Sequence, residues 1–168
     1  MSHLETIKNK IQNIEKATTT LQQWQVEKCK IVFTNGCFDI LHLGHIDYLA
    51  KAADLGDKLI IGVNTDASVS RIKGPSRPIN DQGSRAMILA SLSFVSLIIL
   101  FDEPTPYNLI KLVQPDVLVK GADYKIEEIV GYDIVTAKGG KIITLDYLAD
   151  YSTSGIEKRI LEKNKSQM

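Results

Sequence analysis

Residues 30–45 read KIVFTNGCFDILHLGH and combine a short apolar run, a turn and a segment with two histidines. The run KIVFTN (30–35) is β-branched and almost continuously apolar, as strands buried on both faces are. Beyond the histidines, Ile46, Leu49 and Ala53 recur at helical spacing, and Leu55-Gly56 ends the pattern. This stretch therefore predicts a buried strand that runs through a turn into a helix.

Four further runs of the same kind alternate with helical patterns: KLIIGVN (58–64), VSLIILF (95–101), DVLVKG (116–121) and KIITLD (141–146). Strands that alternate with helices form right-handed βαβ units with parallel strands. We therefore expect an α/β fold, a Rossmann-like, doubly wound parallel sheet of about five strands. Such sheets bind ligands beyond the carboxyl ends of their strands. The segments in that position are 34–45, 64–66, 102–105, 120–124 and 151–155.

The segment before the first strand, residues 1–28, is assigned to an N-terminal accessory helix, and residues 29–168 to one domain. An apolar stripe runs at helical spacing through residues 3–22 and consists of Leu4, Ile7, Ile11, Ile14 and Leu21. The stripe predicts a face that docks onto the domain. A contact between two copies in a homo-oligomer is the alternative.

Composition limits the partners of the chain. Its 168 residues are 44% apolar and 24% charged, which fits one globular domain with a buried core. The 20 basic and 20 acidic residues cancel, so nucleic acid and anionic membranes are not expected partners. Two cysteines, Cys29 and Cys37, are too few for a disulfide framework. With a polar N-terminus and no apolar run near the ~18 residues of a membrane span, we expect a cytoplasmic protein.

His42 and His45 lie three residues apart at the start of the predicted helix, and therefore on one side of it. A helix N-terminus already attracts phosphate through its unpaired N–H groups and its dipole, and two imidazoles add directional donors. Gly44 leaves room for a ligand beside the backbone, while Gly36 lets the chain turn closely around the same anion. The segment therefore predicts a phosphate site.

Other interpretations of this segment are weaker. Either histidine taken alone is more often structural, but the pair in this context favours binding. A metal site of Cys37, His42 and His45 is disfavoured because no second cysteine or carboxylate falls in register. Cys37 as a nucleophile is disfavoured by its apolar neighbours. A P-loop kinase and an NAD-type dehydrogenase both lose support, since neither G-x-x-x-x-G-K-[ST] nor G-x-G-x-x-G occurs.

The long irregular stretch KGPSRPINDQG (73–83) carries two prolines, two glycines and the basic residues Lys73 and Arg77. Because it is cationic and close to a strand-end cluster, it predicts a mobile loop beside the site. A plain surface connection is the alternative.

The segment GCFDILHLGH (36–45) resembles the G-x-F-D-x-x-H-x-G-H signature of the cytidylyltransferase-like nucleotidyltransferases, relatives of the class I tRNA synthetases with their HIGH motif. The resemblance covers about residues 29–162. It continues through VNTD (63–66), RIKG (71–74), SRP (76–78), Arg85, VKGADY (119–124) and STSGI (152–156). The set looks most like the adenylyltransferase domains of ADP-heptose synthases, so residues 29–168 are identified as a nucleotidyltransferase domain of the HIGH superfamily.

The resemblance implies a reaction, in which D-glycero-β-D-manno-heptose 1-phosphate and ATP give ADP-heptose and pyrophosphate for lipopolysaccharide core synthesis. It implies Mg²⁺ as the partner of ATP, held mainly by phosphate oxygens and water. Family enzymes are often fused to a sugar kinase, which a chain of this length does not hold, so a separate heptose kinase is expected upstream. Ser154-Gly155 depart from the family pattern, which has a second threonine and a bulkier residue there.

Roles for individual residues follow from charge, location and the resemblance. The catalytic residues are His42, His45 and Lys73, which contact the phosphates around the transferred group. The nucleotide-binding residues are Thr34, Asn35, Gly36, Phe38, Gly44, Lys120, Gly121, Asp123, Ser152, Thr153 and Ser154. The substrate-binding residues are Asp39, Asn64, Asp66, Arg77 and Arg85.

Several alternatives stay open from the sequence. Asp39 orients sugar hydroxyls or the hydration shell of Mg²⁺, or it is a carboxylate at a helix start. Arg85 contacts a phosphate or is an exposed structural charge. A cytidylyltransferase that acts on glycerol 3-phosphate or another alcohol phosphate is the alternative enzyme. A non-catalytic nucleotide-binding module is a further alternative, disfavoured because the phosphate residues are intact.

Overall fold

The computed structural model describes residues 1–122 and 125–165. Its six strands form one parallel sheet in the order β1-β4-β3-β2-β5-β6. The strands are β1 (Ile11–Gln12), β2 (Ile31–Gly36), β3 (Lys58–Asn64), β4 (Val95–Phe101), β5 (Val117–Gly121) and β6 (Lys141–Leu145). The helices are α1 (His3–Asn9), α2 (Ile14–Val26), α3 (Leu43–Ala53), α4 (Asp66–Lys73), α5 (Gln82–Ala90), α6 (Tyr107–Val113), α7 (Tyr132–Ala137) and α8 (Thr153–Lys165). The doubly wound fold is confirmed, with all five predicted strands in place.

The order of the strands determines where a ligand-binding crevice can form. The chain builds outward from β2 through β3 to β4, and then returns to lay β5 on the other side of β2. The topology therefore reverses between β2 and β5, where Val32 pairs with Val117. A crevice opens at the carboxyl ends of strands that flank such a reversal. Two predicted ligand segments, 34–45 and 120–124, begin at that point.

Both faces of the sheet are covered, which explains why the strands are apolar without alternation. Leu59, Ile61 and Val63 of β3 face a core that α3 and α5 close. Ile60, between them, faces a second core that α2, α6 and α7 close. None of the described helices has the length and apolar composition needed to cross a membrane.

The N-terminal segment differs from the single helix that the sequence predicts. It forms α1, the two-residue strand β1 and then α2, and β1 adds a sixth strand when Ile11 pairs with Ile98 of β4. The interruption has a local cause, because Asn13 caps α2 by accepting a hydrogen bond of 2.9 Å from the N–H of Lys16. Buried Leu21 of α2 belongs to the second core, so the segment packs as part of the sheet layers.

Candidate active site

A cleft of about 330 Å³ opens at the carboxyl ends of β2, β3 and β5. Most of the predicted site residues meet there, although they come from distant parts of the sequence. The lining consists of Asn35, Gly36, Cys37, Phe38, Asp39, His45, Tyr48, Asn64, Lys73, Lys120, Gly121, Tyr147 and Thr153. The predicted contact Asp123 lies outside the described residues. Segment 102–105 is not part of the lining, and Asp102 instead pairs with Arg71 at 3.0 Å.

The two histidines stand at the N-terminus of α3. His42 is the N-cap residue and its side chain makes no capping hydrogen bond, so the end of the helix keeps N–H groups available. The imidazoles of His42 and His45 stack with their centroids 3.8 Å apart, and the ring of Phe38 meets His45 edge-on at 5.2 Å. Within the described part of the chain, Nδ1 of each histidine is a buried polar atom without a hydrogen-bond partner. Buried polar atoms normally find partners, so this pair marks a place where a ligand can bind.

Both imidazoles are neutral at pH 7. Burial, followed by the charges of His42 and Lys73, lowers the pKa of His45 from 6.5 to about 4. Burial also lowers the pKa of His42. The pair therefore offers N–H donors rather than fixed positive charge. Lys73 lines the same cleft as His45, whereas His42 lies behind His45 in the stack and does not line the cleft.

The two glycines of the signature make room for side chains. A Cβ on Gly36 would lie 3.0 Å from the ring of Phe38, a residue that the turn holds at a φ of 48°. A Cβ on Gly44 would lie 3.1 Å from Nδ1 of His42 and 3.1 Å from Cβ of Tyr151. The space at Gly44, predicted for a ligand, is therefore taken by the side chains of His42 and Tyr151.

Thr34 was predicted to bind the nucleotide, but it is fully buried and does not line the cleft. Its hydroxyl shares a hydrogen bond of 2.8 Å with the hydroxyl of Tyr48, so Thr34 supports a cleft residue instead of a phosphate. The ring of Tyr48 stacks on Tyr147 at 5.5 Å. A Cβ on Gly121 would overlap Cε2 of Tyr147, so only glycine allows this approach. Sequence reasoning missed both tyrosines; only the position of Tyr48 three residues after His45 pointed to one of them.

Asp39 holds the loop after α4, and this is a different role from those predicted for it. Its Oδ1 accepts hydrogen bonds from the N–H groups of Ile79 and Asn80 at 2.8 and 2.9 Å, and its Oδ2 pairs with Arg77 at 2.8 Å. Burial alone would raise the pKa of Asp39, but the bonds from Asn80, Arg77 and Ile79 together lower it. Asp39 is therefore an ionised, buried anchor, and the loop predicted as mobile is tied down at residues 77–80.

Arg85 lies inside the protein with 1% of its surface exposed, so neither the predicted phosphate contact nor an exposed charge fits it. Its guanidinium donates to the carbonyls of Asn80, Cys37 and Asn64, and it pairs with Asp66 at 2.8 Å. These donors tie the turn after β2 to the end of β3. Arg85 therefore positions the site and does not face a ligand, and Asp66 serves as its counter-charge.

The remaining predicted residues divide into two groups. Lys120 donates to Oδ1 of Asn35 across the β2–β5 crevice, and both line the cleft. Thr153, the first residue of α8, also lines it, whereas Ser152 and Ser154 do not. Ser152 accepts a hydrogen bond of 3.0 Å from the N–H of Gly155, which caps the first turn of α8.

Cys37 lines the cleft and could offer a thiol to a metal ion or to a substrate. Within residues 1–122 and 125–163, no cluster of three His, Cys, Asp or Glu side chains could hold a metal ion. Burial raises the pKa of Cys37, more than Lys73 and Arg85 lower it. The thiol is therefore protonated at neutral pH, which makes it a poor nucleophile.

A parallel α/β sheet with a His-x-Gly-His helix start at its reversal point defines the nucleotidyltransferase class. The family model described as Cytidylyltransferase-like matches residues 33–159. The chain therefore belongs to the cytidylyltransferase-like family, as the signature in residues 36–45 predicts.

Individual relatives agree with this assignment. The bifunctional protein HldE of Caulobacter sp. (strain K31) is 49% identical over 92% of this chain, and that of Campylobacter concisus is 53% identical over 90%. These matches cover 32% and 31% of the relatives, so the chain spans about a third of their length. Among solved structures, the lipopolysaccharide core biosynthesis protein from Thermoplasma volcanium is 34% identical with a TM-score of 0.61. That match covers 71% of this chain and 98% of the other.

Proposed function

We propose that this protein transfers the adenylyl group of ATP to D-glycero-β-D-manno-heptose 1-phosphate, giving ADP-heptose and pyrophosphate for lipopolysaccharide core synthesis. One observation carries the transfer chemistry. Two stacked, neutral imidazoles, whose Nδ1 atoms have no hydrogen-bond partner among the described residues, lie at the uncapped N-terminus of α3, and one of them, His45, lines the same cleft as Lys73. Such an arrangement suits a triphosphate better than an uncharged ligand.

The reaction needs no covalent enzyme intermediate. An oxygen of the sugar phosphate attacks the α-phosphorus of ATP in line, and the bond from that phosphorus to the bridging oxygen of pyrophosphate breaks. The enzyme then has two tasks, which are to align the two phosphates and to stabilise the charge that develops on their oxygens.

His42 and His45 donate N–H hydrogen bonds to oxygens of the α- and β-phosphates in this proposal, with His45 nearest the transferred group. Their neutral state supports the role, because a neutral imidazole keeps one ring N–H as a donor before the charge develops. The stack with His42 and the edge of Phe38 hold the ring of His45 in one orientation. A fixed donor loses little free energy to reorganisation during the displacement.

Lys73 follows the α-phosphate and the incoming phosphate as a compact point charge. It is the last residue of α4, and Gly74 follows with a φ of 98°, so the backbone turns sharply just after the charge. Thr153 faces the same cleft from the first turn of α8. We assign its hydroxyl, with the N–H groups of that turn, to the β- and γ-phosphates.

The base and sugar of the nucleotide lie, in this proposal, toward Lys120, Gly121 and the Tyr48–Tyr147 pair. An aromatic ring packed beside a glycine backbone offers a flat apolar wall, which suits a purine. Asn64, buried at the end of β3, holds its amide toward Ser68 at 3.0 Å and borders the acceptor side. The heptose itself rests on the resemblance to ADP-heptose synthases and on the relatives that match this chain.

We also propose that Mg²⁺ enters bound to ATP, where it supplies charge neutralisation on the phosphates. A kinase reaction must supply the sugar 1-phosphate, and the HldE relatives are named as bifunctional proteins. We further propose that the protein is located in the cytoplasm and forms a homo-oligomer.

A pyrophosphate-release assay tests the function. The protein is incubated with ATP, CTP, GTP or UTP against heptose 1-phosphate, glycerol 3-phosphate and other sugar 1-phosphates. The fastest release is expected for ATP with the heptose 1-phosphate. A preference for CTP with glycerol 3-phosphate would instead make the protein a cytidylyltransferase.

A further inference from the structure

Arg77 joins two segments that are far apart in the sequence. One branch of its guanidinium pairs with Oδ2 of Asp39 at 2.8 Å, and the other donates to Oε1 of Glu157. Asp39 belongs to the turn that follows β2, and Glu157 lies in the second turn of α8. The side chains of Arg77, Asp39 and Glu157 are 18%, 1% and 28% exposed, so water screens these pairs only weakly.

The loop that carries Arg77 is fixed by several further bonds. The N–H groups of Ile79 and Asn80 bond to Oδ1 of Asp39, and the amide nitrogen of Asn80 donates to the backbone carbonyl of Asp39 at 2.6 Å. The hydroxyl of Ser70 donates to the carbonyl of Arg77. Arg77 is therefore held firmly on the side of Asp39, and its bond to Glu157 is a bridge that joins this well-anchored loop to α8.

Arg77 and Glu157 each lie four residues after a side chain that lines the cleft. Lys73 lies four residues before Arg77 and lines the cleft, and Thr153 lies four residues before Glu157 and also lines it. Gly74, between Lys73 and Arg77, has a φ of 98°, and a Cβ there would meet nothing within 4 Å. A change at the bridge would therefore alter the approach of two side chains to the same bound phosphates.

We propose that Arg77 and Glu157 are positioning residues that couple the loop of residues 74–80 to the start of α8, so that Lys73 and Thr153 close on the triphosphate as one unit. The consequence for catalysis rests on the proposed function, but the coupling itself does not. Arginine is required because its planar fork bonds two carboxylates at once, which the single ammonium of lysine does not reproduce.

Hydrogen exchange of the full-length protein tests the coupling without any substrate. In Arg77→Lys, amides of residues 152–158 should exchange about five-fold faster or more, and in Glu157→Gln those of residues 74–80 should do so, as expected for partners in one network. Glu128→Gln is the matched control, because Glu128 pairs with Lys125 at 3.5 Å on the surface, outside both segments, and should leave their exchange unchanged. Faster exchange confined to the segment that carries each substitution would overturn the proposal.

Kinetics supply the second readout. The single variants should raise the KM for ATP by about five-fold with a smaller change in kcat, and the double variant should be no worse than the more affected single variant. Additive effects would contradict a shared bridge. Glu157→Gln, at the partly exposed end, tests the coupling even if Arg77→Lys fails to fold. If no nucleotide is turned over, the proposed function fails while the exchange experiment still decides on the bridge.

Discussion

Replacing Asp39 with asparagine removes one charge from the most connected carboxylate of the site. Asparagine keeps an oxygen that can still accept from the N–H groups of Ile79 and Asn80, but as a neutral acceptor. Its amide nitrogen takes the place of Oδ2 and faces the guanidinium of Arg77, so two donors meet. The variant should fold, with the loop of residues 77–80 less tightly held.

The loss in the free energy of unfolding can be worked out from these contacts. A hydrogen bond to a charged partner contributes about 1 kcal/mol more than one between neutral groups, and Asp39 makes three of them with its side chain. Breaking a buried ion pair by removing one partner costs about 3–5 kcal/mol. We therefore expect Asp39→Asn to lower the free energy of unfolding by about 3 kcal/mol at pH 7.

Equilibrium urea denaturation measures this loss, with Asp47→Asn as the control. Asp47 pairs with Lys51 at 2.7 Å on the exposed face of α3, and losing that pair should cost about 0.5 kcal/mol. Because the folded pKa of Asp39 is lowered, its contribution is present above pH ~4 and is lost as the pH falls through the folded pKa. A loss at pH 7 no larger than that of Asp47→Asn would refute this account of Asp39.

Three further predictions concern the phosphate residues. His45→Ala should lower kcat by about 10²-fold while nucleotide binding weakens less, and near-normal turnover would make His45 structural. Lys73→Ala should depress kcat strongly and Lys73→Arg should rescue it poorly; less than about a twofold change in folded Lys73→Ala protein would remove Lys73 from the mechanism. The folded pKa of His45 is about 4 against 6.5, so between these values only the unfolded chain takes up the proton. The free energy of unfolding, measured by urea denaturation, should therefore decrease by at most roughly 3 kcal/mol as the pH falls from 6.5 to 4. His45→Gln should remove that part of the decrease.

The sheet could be predicted because the apolar composition of each strand is visible in the sequence. Five runs are almost continuously apolar, as is typical of strands that helices cover on both faces, so they predicted the fold class. The strand β1 has two residues, too few for any periodicity to register. The apolar stripe through Ile7, Ile11 and Ile14 continues at helical spacing across β1, so the pattern could not reveal the break that Asn13 makes.

Whether the role of a site residue could be predicted depended on how far its contact partners lie from it in the sequence. His42 and His45 could be placed because helical geometry alone fixes their relation. Asp39 and Arg85 could not, since their partners lie 40 and 48 residues away at Ile79 and Cys37, and only the folded chain brings them together. From the sequence alone, a charged residue in a family motif can equally be a ligand contact or a buried residue that holds other segments in place. Burial decides between the two, and the sequence does not reveal it.

The fate of the α-phosphorus tests the central claim most directly. The protein is incubated with Mg²⁺, the heptose 1-phosphate and ATP that is radiolabelled at either the α- or the γ-phosphorus, and the products are separated. Nucleotidyl transfer predicts that the α-label appears in ADP-heptose and that the γ-label appears in pyrophosphate, at a rate that His45→Ala reduces. A γ-label on the sugar, or ATP that stays intact while heptose 1-phosphate is present, would contradict the account.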